Sequence, residues 1–295
     1  MEKLERTRDC EGIVPGISPQ VYSAEDFNRI KTLVGREAGI VMDERKRMLA
    51  YSRIAPLVRK SGAQTFRDYL DHVDRDPSAL SRTIAALTTN HTYFNREPHH
   101  FEHFATHVRP DLVARAEAGE TVRLWSAGCS SGEEIYTLMM VLLGEDRGAG
   151  QSLAKRKFIA LASDLAEHAV NAAAEATYPA DALAAIPEKL RANWCDHNAQ
   201  DPSKLAIGRE VKGLVRFRQL NLLRPWPFRN LFDVIFCRNV MIYFDGPTKE
   251  QLVLALARQL KPGGYLYIGH SERVPGEANR LLESDGSTIY RRKAA

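Results

Sequence analysis

The chain has 295 residues, enough at about 150 per domain for one large or two modest domains, and either size buries a sizeable core. Apolar residues make up 44% and charged residues 26%, ordinary globular values that exclude disorder, collagen and coiled coil. Lysine and arginine number 41 against 37 aspartate and glutamate, a net charge of +4 that excludes a blanket of positive charge and permits a local basic patch.

In chain order, the opening MEKLERTRDCEG alternates charges without an apolar core, so it is not expected to be a signal peptide. Residues 1–20 read as an N-terminal tail and residues 21–89 as helices only. Ser23 followed by Asp26 forms a capping-box pair ahead of Phe27, Ile30 and Val34 at helical spacing. Thr65 with Asp68 starts another helix through Phe66, Tyr69, Leu70 and Val73. Asp76-Pro77 starts a third, carrying Leu80, Ile84 and Leu87. Between the first two lie Arg45, Lys46, Arg47, Arg53, Arg59 and Lys60. Lys46, Arg53 and Lys60 fall on one helical stripe, with a kink expected at Pro56. A solvated face is the plain reading of such a stripe.

From about residue 120, strands alternate with helices. Thr121–Trp125, Lys157–Ala162, Phe232–Cys237, Tyr265–Gly269 and Ser287–Arg291 read as strands. Helices carry Ile135, Leu138, Met139 and Leu142, and later Leu252, Leu256 and Leu260, the last stopped by Lys261-Pro-Gly-Gly264. This alternation predicts a doubly wound parallel sheet. Residues from about 186 to 220 read as a small antiparallel insertion, with a turn at Lys212-Gly213. The longest aliphatic run, Leu138–Leu143, is too short to cross a bilayer. Cys10, Cys129, Cys195 and Cys237 form no CxxC pair, so neither a disulfide framework nor a cysteine-type zinc site is expected. The chain reads as soluble and cytoplasmic.

Ligands of open parallel sheets sit at the carboxyl ends of strands. The first such end here, Ser126–Glu134, lacks both the GxGxxG spacing and the P-loop signature. Its small residues admit a ligand to the backbone, and the helix behind offers amide donors; such loops are equally glycine-rich for geometry alone. Asp164 ends the second strand, where nucleotide-binding sheets hold ribose hydroxyls and where aspartate also serves as a helix N-cap. Arg238 and Asn239 are polar residues between apolar runs and need partners if buried.

The loop, the acid and the helix-KPGG-strand unit resemble an S-adenosylmethionine-dependent methyltransferase of the Rossmann-like class. Four strings narrow this: Thr88-Thr-Asn-His-Thr-Tyr-Phe-Asn-Arg-Glu-Pro-His-His-Phe101, Ala127–Glu134, Phe236-Cys-Arg-Asn-Val-Met-Ile-Tyr-Phe-Asp245 and Gly269-His-Ser-Glu272. With Ala38-Gly-Ile40 and Tyr51-Ser-Arg53, they resemble the chemotaxis receptor glutamate methyltransferases, the CheR family, from about Ser23 to Arg291.

That resemblance implies a small all-α N-terminal domain (21–89) for receptor docking and a linker (90–108) that touches the cofactor. A class I methyltransferase domain (109–295) with a small antiparallel β-subdomain follows. It implies cofactor contacts from Asn90, Thr92, Arg96, Gly128, Glu134, Asp164, Asn221, Leu222, Arg238 and Asn239. Glu134 and the Gly128–Gly132 loop fall to the methionyl end, Asp164 to the ribose, and Asn221, Leu222 and Asn239 to the adenosine region. Arg96 and Tyr243 are the expected catalytic residues, Arg96 holding a carboxylate and Tyr243 lying near the transferred methyl; read alone, Arg96 pairs with Glu97 and Tyr243 is core. Lys46, Arg53, Arg59 and Lys60 are expected to dock acidic receptor helices. The chain departs from the family's usual residues at Asn95, where a second aromatic is common, and at Pro56.

The implied reaction is methylation of receptor glutamates to methyl esters, with S-adenosylhomocysteine as product, for sensory adaptation. An ionised glutamate needs no general base, so positioning and a water-poor pocket carry the chemistry. Partners are the cytoplasmic domains of chemotaxis receptors, with a C-terminal tether peptide a candidate ligand of the insertion; a monomer is expected, and neither nucleic acid nor membrane insertion. No metal is expected, although His99, His103 and His107 recur at helical spacing. The alternatives are a cofactor-binding signalling module without turnover, and a methyltransferase of the same fold acting on another substrate.

Overall fold

The computed structural model describes residues 13–88, 90–198 and 201–294; the charge-alternating start with Cys10, and Thr89 of the linker string, lie outside the described residues. The chain divides into two units, Met1–Thr89 with Tyr243–Asp245, and Asn90–Ile242 with Gly246–Ala295. No helix among the described residues is long and apolar enough to cross a membrane.

The first unit holds α1 (Ala24–Ala38), α2 (Arg47–Ser61), α3 (Phe66–Val73) and α4 (Pro77–Leu87). The starts of α1, α3 and α4 are the expected caps: Ser23 and Asp26 bond each other's backbone N–H, Thr65 accepts from Asp68 N–H, and Asp76 accepts from Ser78 N–H with Pro77 in the first turn. Each satisfies a donor that the helix itself leaves open. Phe27, Ile30 and Val34 of α1, Ile54 and Val58 of α2, Phe66 and Leu70 of α3 and Ile84 and Leu87 of α4 are all buried. Tyr22 is buried with them, its ring 4.5 Å from Phe66. Helix α2 runs through Pro56 with the proline exposed, where water can serve the carbonyl left without a donor.

The second unit is built on a seven-stranded sheet. Its strands are β1 (Val122–Ala127), β2 (Phe158–Asp164), β6 (Val215–Gln219), β7 (Phe232–Cys237), β8 (Leu260–Ile268), β9 (Leu282–Gly286) and β10 (Ile289–Arg292). The order is β6-β2-β1-β7-β8-β10-β9; the first five are parallel, and β10 runs antiparallel to both β8 and β9. The order reverses between β1 and β7, so the switch point lies at the ends of those strands. A continuous helical run links α5 (Pro98–His103) through a π-helical segment, Phe104–Val108, to α6 (Arg109–Glu117). The remaining helices are α7 (Glu133–Leu143), α8 (Arg147–Leu153), α9 (Glu167–Glu175), α10 (Glu188–Trp194), α11 (Arg209–Leu214) and α12 (Gly246–Gln259). Helix α7 is buried nearly all round, from Ile135 to Leu143, which is why its sequence reads as one aliphatic block.

The insertion differs from its expected extent. A separate antiparallel sheet, ordered β3-β5-β4, forms from β3 (Thr177–Pro179), β4 (Cys195–His197) and β5 (Lys204–Ile207). It therefore begins earlier and closes earlier than residues 186–220. The expected Lys212-Gly213 turn lies inside α11, and Val215–Gln219 is the edge strand of the main sheet, parallel to β2. The turn pair misled because Val211 and Leu214 are buried against the core, and that burial selects a helix over a hairpin. Strand β9 also lacked a sequence signal: Glu283, Ser284 and Asp285 are exposed on an edge.

Candidate active site

The loop after β1 is shaped by backbone rather than by side chains. Gly128 and Cys129 both donate to the Ser163 carbonyl of β2, at 2.8 and 2.9 Å. Gly128 takes φ 84 and Gly132 φ 98, and a Cβ on Gly132 would come within 2.9 Å of Ala173. Glycine is therefore required at both positions. Asp164 then closes the cup, one carboxylate oxygen accepting from Ser130 N–H at 2.8 Å and the other from Ala166 N–H at 2.9 Å. It is not the N-cap of α9, which is Ala166. Its 8% exposure leaves its remaining lone pairs as the acidic floor of the loop.

The third strand end carries the charges. Asn239 sits at φ 59 and is fixed by Glu272, whose carboxylate accepts from the N–H groups of Gly269, Asn239 and Met241 at 2.6, 3.1 and 2.7 Å. A side chain on Gly269 would lie 2.7 Å from the Asn239 nitrogen, so this close approach needs glycine. Arg238 is buried over the rings of Phe101 and Phe236. Its Nη2 donates to the Arg96 carbonyl and lies 3.4 Å from Glu97, and its Nη1 lies 3.5 Å from Glu134. Ser126 Oγ donates to the other oxygen of Glu134 at 2.7 Å.

The linker string packs into the same unit. Phe94 is fully buried against Tyr178, and the Asn90 carbonyl accepts from Ser130 Oγ at 2.8 Å. Thr92 is half-buried in this stretch. Asn95 occupies φ 55, a left-handed conformation that asparagine tolerates, and donates its N–H to Thr137 Oγ at 3.2 Å. Arg96 lies over the Tyr93 ring and donates to the His91 carbonyl at 3.1 Å. The expected Arg96–Glu97 pair is replaced: Glu97 faces Arg238 and His270. Asn221 and Leu222 follow β6, where Leu220 N–H is tied to the Asp164 carbonyl at 2.9 Å. The loop is anchored farther on by Trp226 and Phe228, each with its ring 4.9 Å from Trp125. Leu222 lines a pocket of about 360 Å³ with Trp226, Leu252 and Ala255.

Burial sets the titration of this cup. It raises Glu134, against the opposing charge of Arg238 and the Ser126 bond, and raises Asp164, against its two backbone bonds. Glu133 and Glu272 are raised by the same cause. Glu97 moves the other way: burial is outweighed by hydrogen bonds from His270 and the Arg238 charge, so it stays ionised below the usual range. In this cup, Asn90 Nδ2, Arg238 Nε and Arg238 Nη1 are buried donors without hydrogen-bond partners. Orphaned buried donors cost free energy, and beside an acidic floor they fit a zwitterionic ligand carrying hydroxyls. Cys129 and Cys237, at adjoining strand ends, are buried thiols pushed far up by burial, so neither is a nucleophile.

Other expected residues are placed differently. Arg53 does not join an open docking stripe: its Nη1 reaches the carbonyls of Ala86, Leu87 and Thr88, the last at 2.7 Å. A helix C-terminus leaves carbonyls open and favours a cation there. Lys46 donates to the Val41 carbonyl at 3.0 Å, while Arg59 and Lys60 are exposed. Tyr243 groups with the helical unit, its carbonyl accepting from Val41 N–H at 2.9 Å. The histidines do not converge: His103 stacks on His107 and bonds Tyr267 OH, whereas His99 lies against His100. No group of three or more metal-ligating side chains occurs among the described residues. Sequence reasoning missed Glu97, His100 and Glu272 as parts of the site. Their one signal was position, inside strings that served only as family markers.

Comparison with known proteins agrees with this geometry. Residues 90–290 match the family described as "CheR methyltransferase, SAM binding domain", and residues 25–88 match "CheR methyltransferase, all-alpha domain". A probable chemotaxis protein methyltransferase of Rhizobium etli is 40% identical over 262 residues, covering 88% of this chain and 96% of that protein. The chemotaxis protein methyltransferase of Borreliella burgdorferi is 35% identical, covering 86% and 90%. Chemotaxis protein methyltransferase 2 of Pseudomonas aeruginosa is 35% identical, covering 91% and 93%. With a helical unit and a sheet unit each matched by its own family description, the chain belongs to the CheR methyltransferase family.

Proposed function

We propose that the chain methylates glutamate side chains of chemotaxis receptors, using S-adenosylmethionine, as a soluble cytoplasmic enzyme. The observation that carries this reading is the cup at the switch point, where buried donors of Asn90 and Arg238 lack hydrogen-bond partners and Asp164 and Glu134 supply the acids. Asp164 would accept the ribose hydroxyls, and Asn221 and Leu222 would border the adenine. Gly128, Thr92 and Asn90 would lie along the methionyl chain. Glu134 would face the ammonium, and Arg238 and Arg96 the carboxylate. When bound, the cofactor supplies a methyl group on a cationic sulfur. The chain's own part is to exclude water and align an acceptor carboxylate that is already ionised. No base is required, consistent with the inert buried thiols.

Tyr243 would orient the acceptor, and the exposed Arg59 and Lys60 would meet an acidic receptor helix. The test is incubation of the purified chain with a receptor cytoplasmic fragment and methyl-labelled donor. Label released by mild base as methanol supports the reading. Donor binding without receptor label would leave a docking module, and label on another macromolecule would reassign the substrate.

A further inference from the structure

Glu97 stands in an unfavourable backbone position. Its φ is 56 and its ψ 65, left-handed values rare for a residue with a long side chain, and the next residue is Pro98. A residue before proline is steered toward extended backbone, so this conformation is disfavoured twice over. Strain of this kind persists where the surroundings over-determine it, and such places cluster at functional sites.

The surroundings are specific. Oε1 of Glu97 faces His270 Nδ1 at 2.8 Å and accepts from His270 N–H at 3.2 Å, with Asn239 Nδ2 at 3.5 Å. Oε2 lies 3.4 Å from Arg238 Nη2 and 3.4 Å from His100 Nδ1. His100 is fully buried, and its other ring nitrogen shares a 2.9 Å hydrogen bond with Thr288 Oγ. Thr288 is itself at φ 59, an outlier for a β-branched residue. Burial and the nearby Arg238 push His100 down to about 3, so the ring is neutral and adds no competing charge. Two strained residues thus meet around one largely buried carboxylate, whose partners are His270 and two adjacent residues at the end of β7.

We propose that Glu97 is a positioning residue for methyl transfer, holding Arg238 and Asn239 so that their N–H groups meet the donor. It touches neither donor nor acceptor. His100 and Thr288 pack behind it, without a hydrogen bond to the carboxylate. The inference rests on the cofactor reading of the cup, and its test separates the two.

The experiment measures binding of S-adenosylhomocysteine by calorimetry, and methylation kinetics, on the full chain. The variants are Glu97→Gln, Arg238→Lys and the double variant, each checked for folding by its melting curve. Glu97→Gln is expected to weaken binding about tenfold in the parent and less than about twofold in the Arg238→Lys background, the non-additivity of residues that act together. Glu97→Asp keeps the charge but withdraws it. It is expected to raise KM for the donor with kcat at saturation near the parent's, and it serves in place of Glu97→Gln should that variant not fold. Equal losses in both backgrounds, or a fall in kcat alone, would overturn the proposal. A parent that binds neither donor nor product would sink the cofactor reading instead.

Discussion

Asp164→Asn separates two roles that aspartate can play at the end of a second strand. The native carboxylate holds Ser130 N–H at 2.8 Å and Ala166 N–H at 2.9 Å, one on each oxygen. Asparagine keeps one acceptor and turns an NH2 toward the other donor. If Asp164 only organises the turn, asparagine, which keeps one of the two acceptors, changes cofactor affinity little. If it also accepts the two ribose hydroxyls, the variant loses charge-assisted bonds of about 1.5–3 kcal/mol each, partly replaced by the remaining oxygen. A net loss of about 2–4 kcal/mol corresponds to roughly 30- to 700-fold in affinity. Calorimetric titration with S-adenosylhomocysteine reads this, and a melting curve confirms the fold. A change of less than about threefold in a folded variant would refute the ribose role.

Other expectations follow from the same geometry. Glu134 is raised by burial, so the folded protein binds its proton where the unfolded chain has released it. The stability it contributes is present at low pH and lost as pH rises through its folded value. The stability of the parent relative to Glu134→Gln should therefore increase as pH is lowered from neutral toward 4.5, the ordinary value; the opposite slope in denaturant unfolding would contradict it. Asp233, 2% exposed, accepts from Arg115 and Lys261, both at 2.7 Å, and from Arg123 N–H at 2.8 Å. Asp233→Ala should cost about 2–3 kcal/mol in denaturant unfolding, less than for fully buried partners because both cations are part-exposed. Arg59→Glu with Lys60→Glu should slow receptor methylation about tenfold at low salt with product affinity unchanged. Arg53→Ala should instead lower the melting temperature, since its side chain caps α4; a rate effect with no loss of stability would restore it to the docking face.

Much of this was legible in the sequence because local signals and burial agree. Ser23, Thr65 and Asp76 mark helix starts by side-chain chemistry alone, and all three cap as expected. The alternation of strands and helices from residue 120 fixes a parallel sheet, and Asp164 and Arg238 stand at strand ends because polar residues there need partners. What was illegible depends on three-dimensional neighbours. The Lys212-Gly213 pair has turn chemistry, yet burial of Val211 and Leu214 makes it helical. Arg53 shares a stripe with Lys46 and Lys60, but an unsatisfied helix end nearby claims it. Glu97 and Glu272 are acids whose roles appear only once the backbone N–H groups and cations around them are placed.

The most direct test of the account is mass-spectrometric mapping of a receptor cytoplasmic fragment after incubation with the chain and S-adenosylmethionine. The expected result is a methyl ester on glutamate side chains of the fragment's helices, absent without donor and removed by mild base. An unmodified fragment under conditions where the chain binds the donor would contradict it.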